Sequence, residues 1–343
     1  MLDNVLVRCF FLVSFIVFHG CGDSSQDNQI QHANDQPRAD SQVVPNRNSA
    51  LLEATNVYGP LLVAEGEFDS EADVRPWSAW WLPVRSSYLF KGENGEFAPL
   101  EKYDKYRNKR MLNVGTSNAA GFEREHFYDP DAAPWEGLCN AWATAAVLER
   151  EPRKPLTLGD LILSVGDLKA LLIKTYESAE GLEYFGQRYD GDSASVYDDI
   201  YPDQFHKIIQ AVLFEQHRSF IIDKEPGMSV WNIPIWKAHT KIERDSADGR
   251  ILHVRTWLTG ASPFIDDIDY VGTLPLSFEY VYDLYGIYQG DGIFNITHGV
   301  WMGPSVDFHP DFVTVMGEKI VHKSRNIEVE NSVVSDLVSM AGF

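Results

Sequence analysis

The stretch that decides the fold is APWEGLCNAWATAAVLEREP, residues 133–152. After Gly137, the run from Leu138 to Arg150 is small, apolar and rich in helix formers, and Pro152 ends it. The pattern predicts a helix with Cys139 in its first turn. A helix N-terminus carries about half a positive charge and unpaired backbone N–H groups, which lower the pKa of a thiol and offer donors to an oxyanion.

Helices and strands then follow this stretch in a simple order. Apolar residues at helical spacing predict helices over 164–178 and from Pro202 onward, and residues 100–110 also have helical spacing. Segments rich in β-branched and aromatic residues follow at 217–225, 229–243, 250–260, 276–288 and 298–303. Helices that carry the cysteine, followed by a run of antiparallel strands, predict an α+β fold with the chain order of the papain superfold.

The composition excludes several classes of function. The chain has 343 residues, of which 44% are hydrophobic, and 29 basic residues against 50 acidic ones give a net charge of −21. A chain this apolar is long enough to fold as one large domain. Its negative charge disfavours binding to nucleic acid and to anionic lipid surfaces. Motifs for nucleotide binding and for zinc proteases are absent from the sequence.

The N-terminal residues predict export. Arg8 precedes an apolar run of export-signal length, too short to span a bilayer, so residues 1–20 are predicted to be a signal peptide. The run ends at Phe18-His19-Gly20-Cys21, which resembles a bacterial lipobox, although ordinary signal cleavage stays an alternative. Cys21 is therefore the predicted lipidation site, and Gly22 favours the outer membrane over retention at the inner one. Residues 21–50 are predicted to be a disordered tether and 51–343 the folded domain.

Cysteine usage singles out one thiol. The chain has three cysteines, of which Cys9 lies in the signal and Cys21 at its end, so Cys139 is alone in the predicted domain. A single cysteine there cannot form an internal disulfide. The sequence leaves two interpretations, an inert buried cysteine and a nucleophile.

Several segments, in the same order, resemble the transglutaminase elicitor family. They lie at residues 76–83, 101–106, 135–146, 165–172, 202–206, 230–243 and 308–312. The resemblance covers roughly residues 76–312 and implies a papain-like catalytic domain that transfers the acyl group of glutamine to a lysine amine. It also implies that the segment from Val230 through Pro234 resembles the surface peptide through which plants recognise the family.

Catalysis by a thiol needs a base and a group that orients it. Cys139 is the predicted nucleophile. His206 matches the family segment at 202–206 and is the predicted base, with His298 and His309 as competitors. Asp223 is the predicted orienting acid, with Asn232 as its competitor. The aromatic residues Trp80, Trp81, Trp142 and Trp231 are candidate walls that exclude water from the acyl-enzyme.

The expected function is that of a protein-glutamine gamma-glutamyltransferase, acting on proteins with exposed glutamine and lysine side chains. A papain-like peptidase or amidase would use the same residues with water as acceptor, and a silent surface-displayed binding protein is the third hypothesis. No cofactor is expected for the chemistry. Calcium is a candidate ligand of the acidic segments at 190–199 and 265–269, which lack EF-hand spacing. A monomer attached to the membrane only through its lipid is expected.

Overall fold

The computed structural model describes residues 47–93, 95–110, 115–189 and 199–342. The predicted signal peptide, the lipidation site Cys21 and nearly all of the predicted tether lie outside these residues. The first described residues already contact the domain, because Arg47 forms an ion pair of 2.7 Å with Asp203. Within the described part of the chain, no helix is both long enough and apolar enough to span a membrane.

Eleven strands and seven α-helices form the described part of the chain. The helices are α1 (Ala54–Tyr58), α2 (Pro99–Arg110), α3 (Ala119–His126), α4 (Cys139–Leu148), α5 (Val165–Lys174), α6 (Pro202–Ile208) and α7 (Asn331–Ala341). A π-helical segment (Ile209–Glu215) continues α6, and a 3-10 turn (Gly303–Val306) follows β10. The strands are β1 (Leu62–Ala64), β2 (Gly66–Glu71), β3 (Leu156–Leu158), β4 (Leu161–Leu163), β5 (Ser178–Gly186), β6 (Phe220–Asp223), β7 (Asn232–Arg244), β8 (Ile251–Ala261), β9 (Pro275–Gly290), β10 (Ile293–Trp301) and β11 (Phe312–Lys323).

Nine of the strands form one antiparallel sheet. Its order is β1-β10-β9-β8-β7-β6-β11-β5, and β2 pairs with β7 beside β6. The predicted α+β class is confirmed, and helices α2, α4, α5 and α6 lie where the sequence predicts them. The expected order of helices followed by sheet is too simple, because β1 and β2 precede the cysteine helix and β5 lies between helices, yet all three join the same sheet.

The sheet separates two hydrophobic cores. Side chains of a strand alternate between its faces, so Phe220 and Ile222 of β6 pack with Phe205 of α6 in one core. Ile221 packs in the other core, with Trp142 of α4. Helices α4 and α6 therefore cover opposite faces of the central strands, and this separation positions the candidate site.

Candidate active site

Cys139 is the first residue of α4 and is 5% exposed. The helix start is held against the segment around Trp81, whose carbonyl oxygen accepts a hydrogen bond of 2.7 Å from the backbone N–H of Leu138. Gly137 is needed for this approach, since a Cβ there would lie 2.6 Å from the Trp81 ring and 2.8 Å from its carbonyl oxygen. The predicted position of Cys139 at a helix start is confirmed.

Two neighbours on the other side of the thiol come from β7 and the segment before it. The Cys139 thiol donates to the carbonyl oxygen of Val230 at 3.4 Å. The side-chain amide of Asn232 donates to Cys139 Sγ, also at 3.4 Å. These contacts close the thiol off on the side away from its own helix.

The pKa of Cys139 is raised, which differs from the expected depression. Burial is the largest cause, and the nearby charge of Asp223 adds to it. Hydrogen bonds from the side chain and backbone of Asn232 and from the backbone of Asn140 act in the opposite direction and favour the thiolate. Burial outweighs these donors in the free protein, so the thiol is protonated at neutral pH.

Asp223 ends β6 and lies directly opposite Asn232 across the β6–β7 pair. Directly opposed residues of an antiparallel pair point to the same face, so Asp223 lies on the face of the sheet that carries Cys139. Its Oδ1 accepts a hydrogen bond of 2.8 Å from the backbone N–H of Trp231. Its Oδ2 is buried and has no hydrogen-bond partner among the described residues.

The pKa of Asp223 is raised to about 7, chiefly because the carboxyl is fully buried. The hydrogen bond from Trp231 lowers it only in part. A carboxyl with this pKa exchanges its proton near neutral pH, as a general acid–base group must.

A cavity of about 590 Å³ opens beside Cys139. Asn140, Asn232 and Thr144 line it with the thiol, and Trp135, Tyr176, Tyr184 and Phe312 supply aromatic walls. The guanidinium of Arg188 lies 5.6 Å above the Trp135 ring and also lines the cavity. The cavity can hold an extended polar side chain whose end reaches Sγ.

His206 lies on the opposite face of the sheet. It belongs to α6, its Nδ1 lies 2.7 Å from the hydroxyl of Tyr282, and it lines a different cavity. Sheet strands thus stand between His206 and Cys139. The expectation that His206 serves as the base for Cys139 is not supported by this arrangement.

The two competing histidines also lie away from the thiol. His298 stacks on Tyr285 with ring centroids 4.7 Å apart. His309 Nε2 pairs with Asp199 at 2.9 Å, and His309 stacks on Trp301. No histidine of the described residues lines the cavity of Cys139.

A second buried carboxyl lies near Asp223. The pKa of Asp311 is raised to about 8 by burial, and Asp199 and Asp223 contribute to the rise. Asp311 Oδ2 accepts a hydrogen bond of 2.7 Å from the backbone N–H of Tyr189. Asp311 lies in the segment 308–312, which resembles the family, but the sequence predicts no role for it.

The four predicted aromatic walls lie in two places, and none of them lines the cavity of Cys139. Trp80 contacts Trp81 edge to face, with ring centroids 5.8 Å apart. Trp81 and Trp231 contact each other edge to face, with centroids 5.6 Å apart, and Phe264 joins them. Trp142 is fully buried and its Nε1 donates to the carbonyl oxygen of Trp77, so it belongs to the core. The tryptophan that lines the cavity is Trp135, which the sequence offered only as part of the cysteine stretch.

The acidic segments were expected as candidate calcium sites. The segment 190–199 falls almost entirely outside the described residues. In 265–269, Asp269 Oδ1 accepts a hydrogen bond from the backbone N–H of Gly166. Among the described residues, no group of three or more histidine, cysteine and acidic side chains could hold a metal ion.

Comparison with known proteins bears directly on this geometry. Residues 131–281 match the transglutaminase elicitor family. The matched range includes Cys139, Asp223 and Asn232, so the resemblance seen in the sequence is confirmed there. A search of the curated proteins gives no match.

One solved structure resembles the whole domain. The chain is similar to the GP42 transglutaminase from Phytophthora sojae with a TM-score of 0.65. The likeness covers 87% of this chain and 99% of that one, at 18% identity. At this identity the likeness establishes a shared fold.

Proposed function

We propose that the protein is a protein-glutamine gamma-glutamyltransferase that uses Cys139 as nucleophile. The observation that carries the proposal is the placement of one thiol at a helix start, with Asn232 bonded to it and the carboxyl of Asp223 on the same face. The family match over residues 131–281 and the fold shared with a transglutaminase support the same reaction. Because no histidine of the described residues lines the cavity of Cys139, a papain-like histidine base does not account for this site. We therefore propose Asp223 as the base.

In the first half-reaction, Cys139 attacks the side-chain carbonyl carbon of a glutamine. The S–H proton passes to the Asp223 carboxylate as the S–C bond forms and the carbonyl electrons move to oxygen. Backbone N–H groups at the start of α4 are placed to stabilise that oxyanion. When the intermediate collapses, the C–N bond breaks, and the Asp223 proton goes to the leaving nitrogen, which departs as ammonia.

In the second half-reaction, a primary amine attacks the thioester. The amine loses a proton to Asp223, its nitrogen bonds to the acyl carbon, and the C–S bond breaks. The proton then returns to the sulfur, and Asn232 stabilises the thiolate during this exchange through its hydrogen bond of 3.4 Å to Sγ. Atoms balance, since one ammonia leaves and one amine enters.

Transfer is favoured over hydrolysis by the closure of the site. Cys139 is nearly inaccessible from outside the cavity, and the carbonyl of Val230 lies against its sulfur. A thioester in this position meets water only through a cavity that the bound substrates fill, which gives an amine the advantage over water. Hydrolysis by a peptidase or amidase remains the competing outcome of the test.

We also propose the substrates, the cofactor requirement, the location and the oligomeric state. The substrates are proteins with exposed glutamine and lysine side chains, and the reaction needs no cofactor, although calcium stays a candidate ligand. Export as an outer-membrane lipoprotein through Cys21 and a monomeric state are likewise proposed.

The proposal is tested by incorporation of a fluorescent primary amine into a glutamine-bearing protein, scored beside release of free glutamate. Amine incorporation should dominate in the intact protein, and Cys139→Ala should abolish both products. Cys139→Ala leaves the cavity in place, so unchanged thermal stability shows that the loss is chemical. Release of glutamate without amine incorporation would replace transfer by hydrolysis, and activity that survives Cys139→Ala would overturn the proposed nucleophile.

A further inference from the structure

A second cavity, of about 330 Å³, lies on the face of the sheet opposite Cys139. Its lining is mainly apolar and includes Leu62, Phe68, Ile209, Phe214, Ile242 and Ile293. These residues come from β1, β2, the π-helical segment, β7 and β10. The mechanism proposed for the thiol uses none of them.

Four polar residues, Gln210, Glu215, His206 and Thr240, interrupt this apolar lining. Glu215 is exposed and Gln210 is half-buried. The two that are buried are His206 and Thr240. They are the two ends of one buried hydrogen-bond chain. His206 Nδ1 lies 2.7 Å from the Tyr282 hydroxyl, which lies 3.0 Å from Thr256 Oγ1, which lies 3.1 Å from Thr240 Oγ1. The chain therefore begins and ends at the wall of the cavity.

His206 is 6% exposed, and Tyr282 is the only hydrogen-bond partner of its imidazole among the described residues. Its Nε2 is left for a partner inside the cavity. Because Nε2 has no hydrogen-bond partner among the described residues and is not fully buried, a ligand in the cavity can reach it.

Burial also lowers the pKa of His206 to about 4, and the nearby charge of Lys207 acts in the same direction. No acidic group contributes to this value. At neutral pH the imidazole is uncharged, and it can donate or accept one hydrogen bond at Nε2 according to how the hydroxyls behind it are turned.

We propose that this cavity binds a small, uncharged, mostly apolar molecule that carries one hydroxyl or carbonyl group. The apolar walls hold the body of the ligand, and His206 Nε2 forms the one directional contact. This site is separate from the thiol chemistry and stands whether or not the proposed transfer activity is correct.

The size and charge of the ligand follow from the same residues. A cavity of about 150 Å³ is large enough for benzene, so one of about 330 Å³ accepts a fused pair of rings or a chain of similar volume. An anionic head group would lose its hydration against a neutral imidazole and apolar walls, and so would bind less well.

The test uses three probes that share one ring system, namely 2-naphthol, naphthalene and 2-naphthoate, titrated into the intact protein at pH 7. We expect 2-naphthol to bind about tenfold or more tightly than naphthalene, because one has the hydroxyl that His206 can bond and the other lacks it. The anionic 2-naphthoate should bind more weakly than 2-naphthol. A crystal with 6-bromo-2-naphthol should place the bromine in the cavity and the hydroxyl at His206.

Two variants and a matched control keep the outcome decisive. His206→Phe should abolish the preference for 2-naphthol over naphthalene, whereas His126→Phe, at an exposed histidine, should leave it unchanged. Leu62 is 45% exposed at the rim, so Leu62→Trp should fold and block all three probes. Equal affinity for 2-naphthol and naphthalene, affinity unaffected by Leu62→Trp, or bromine density elsewhere would each overturn the proposal.

Discussion

The two faces of the central sheet differ in polarity, although the same strands supply both. On the α4 face, β6 and β7 present Asp223 and Asn232 to the only cysteine of the predicted domain. On the α6 face, the alternate residues Ile222 and Ile233 are apolar and His206 is neutral. Because their side chains alternate, β6 and β7 thus supply the candidate site on one face and part of the apolar core on the other. Thr240 and Ile242, further along β7, line the second cavity. The proposed chemistry and the proposed ligand site therefore lie on opposite faces of one sheet.

The largest expected difference between the two faces is the effect of Asp223 on how the free energy of unfolding changes with pH. Because the pKa of this carboxyl is raised to about 7 in the folded protein, folding holds a proton that the unfolded chain releases near pH 4. This contribution to the free energy of unfolding is present below pH 4 and is lost as pH rises to 7, by up to about 4 kcal/mol. Asp223→Asn should remove the loss, so the variant gains stability over the parent between pH 4 and pH 8 in urea unfolding.

The control is Asp266→Asn at an exposed carboxyl, which should show no such gain. If the stability difference between Asp223→Asn and the parent stays constant with pH, the Asp223 carboxyl is hydrated. That result would contradict its burial in the folded protein.

His206 should show the opposite slope and a somewhat smaller effect. Its folded pKa of about 4 lies below that of an ordinary imidazole, so the unfolded chain binds more protons between pH 6.5 and pH 4. Stability is full above that window and falls as pH drops through it, by up to about 3 kcal/mol. His206→Phe should abolish this fall in the same urea series. A histidine signal that titrates near pH 6.5 in the folded protein, followed by NMR, would contradict the buried neutral imidazole.

Asn232 is expected to matter for the reaction more than for the fold. Asn232→Ala removes the side-chain donor to Cys139 Sγ and should lower kcat/KM for amine incorporation by about 100-fold. Asn295→Ala, at an asparagine of β10 away from the thiol, is the matched control and should change it little. Equal effects of the two variants would show that Asn232 acts only through packing.

The smallest of these effects is on the thiol itself. Because burial raises the pKa of Cys139, alkylation by iodoacetamide at pH 7 should be about tenfold or more slower than that of free cysteine. Asp223→Asn should speed it, since the carboxylate charge raises the thiol pKa. The rate is followed by mass spectrometry of the peptide that contains Cys139. Rapid alkylation at pH 6 to 7 would restore the activated thiol expected from the helix start alone.

Local residue patterns in the sequence predict many of the helices and strands of the fold. Pro152 and the run of small residues after Gly137 predict α4 and its cysteine, and the apolar stripe of 202–213 predicts the helix that carries His206. Pattern could not say which face of the sheet each helix covers, because the same stripe packs equally well on either face. That one undetermined choice accounts for the misplacement of His206 relative to Cys139.

Part of the candidate site could also be predicted from the sequence. Residue type and order predict Cys139 as the nucleophile and Asp223 as the orienting acid, with Asn232 as the alternative to Asp223. Asp223 and Asn232 lie on the same face because they are opposite each other in the β6–β7 pair. The two strands are joined by the eight residues 224–231, a spacing that is compatible with this register. Arg188 and Asp311 reach the region from distant parts of the chain, and no local periodicity marks them. Trp135 lies only four residues before Cys139, but no pattern in that stretch marks it as a cavity wall.

The most direct test of the account compares Asp223→Asn with His206→Phe in one amine-incorporation assay. We predict that Asp223→Asn lowers kcat/KM by about 100-fold or more, while His206→Phe stays within about threefold of the parent. Loss of activity in His206→Phe, with activity kept in Asp223→Asn, would contradict the assignment of the chemistry to the α4 face.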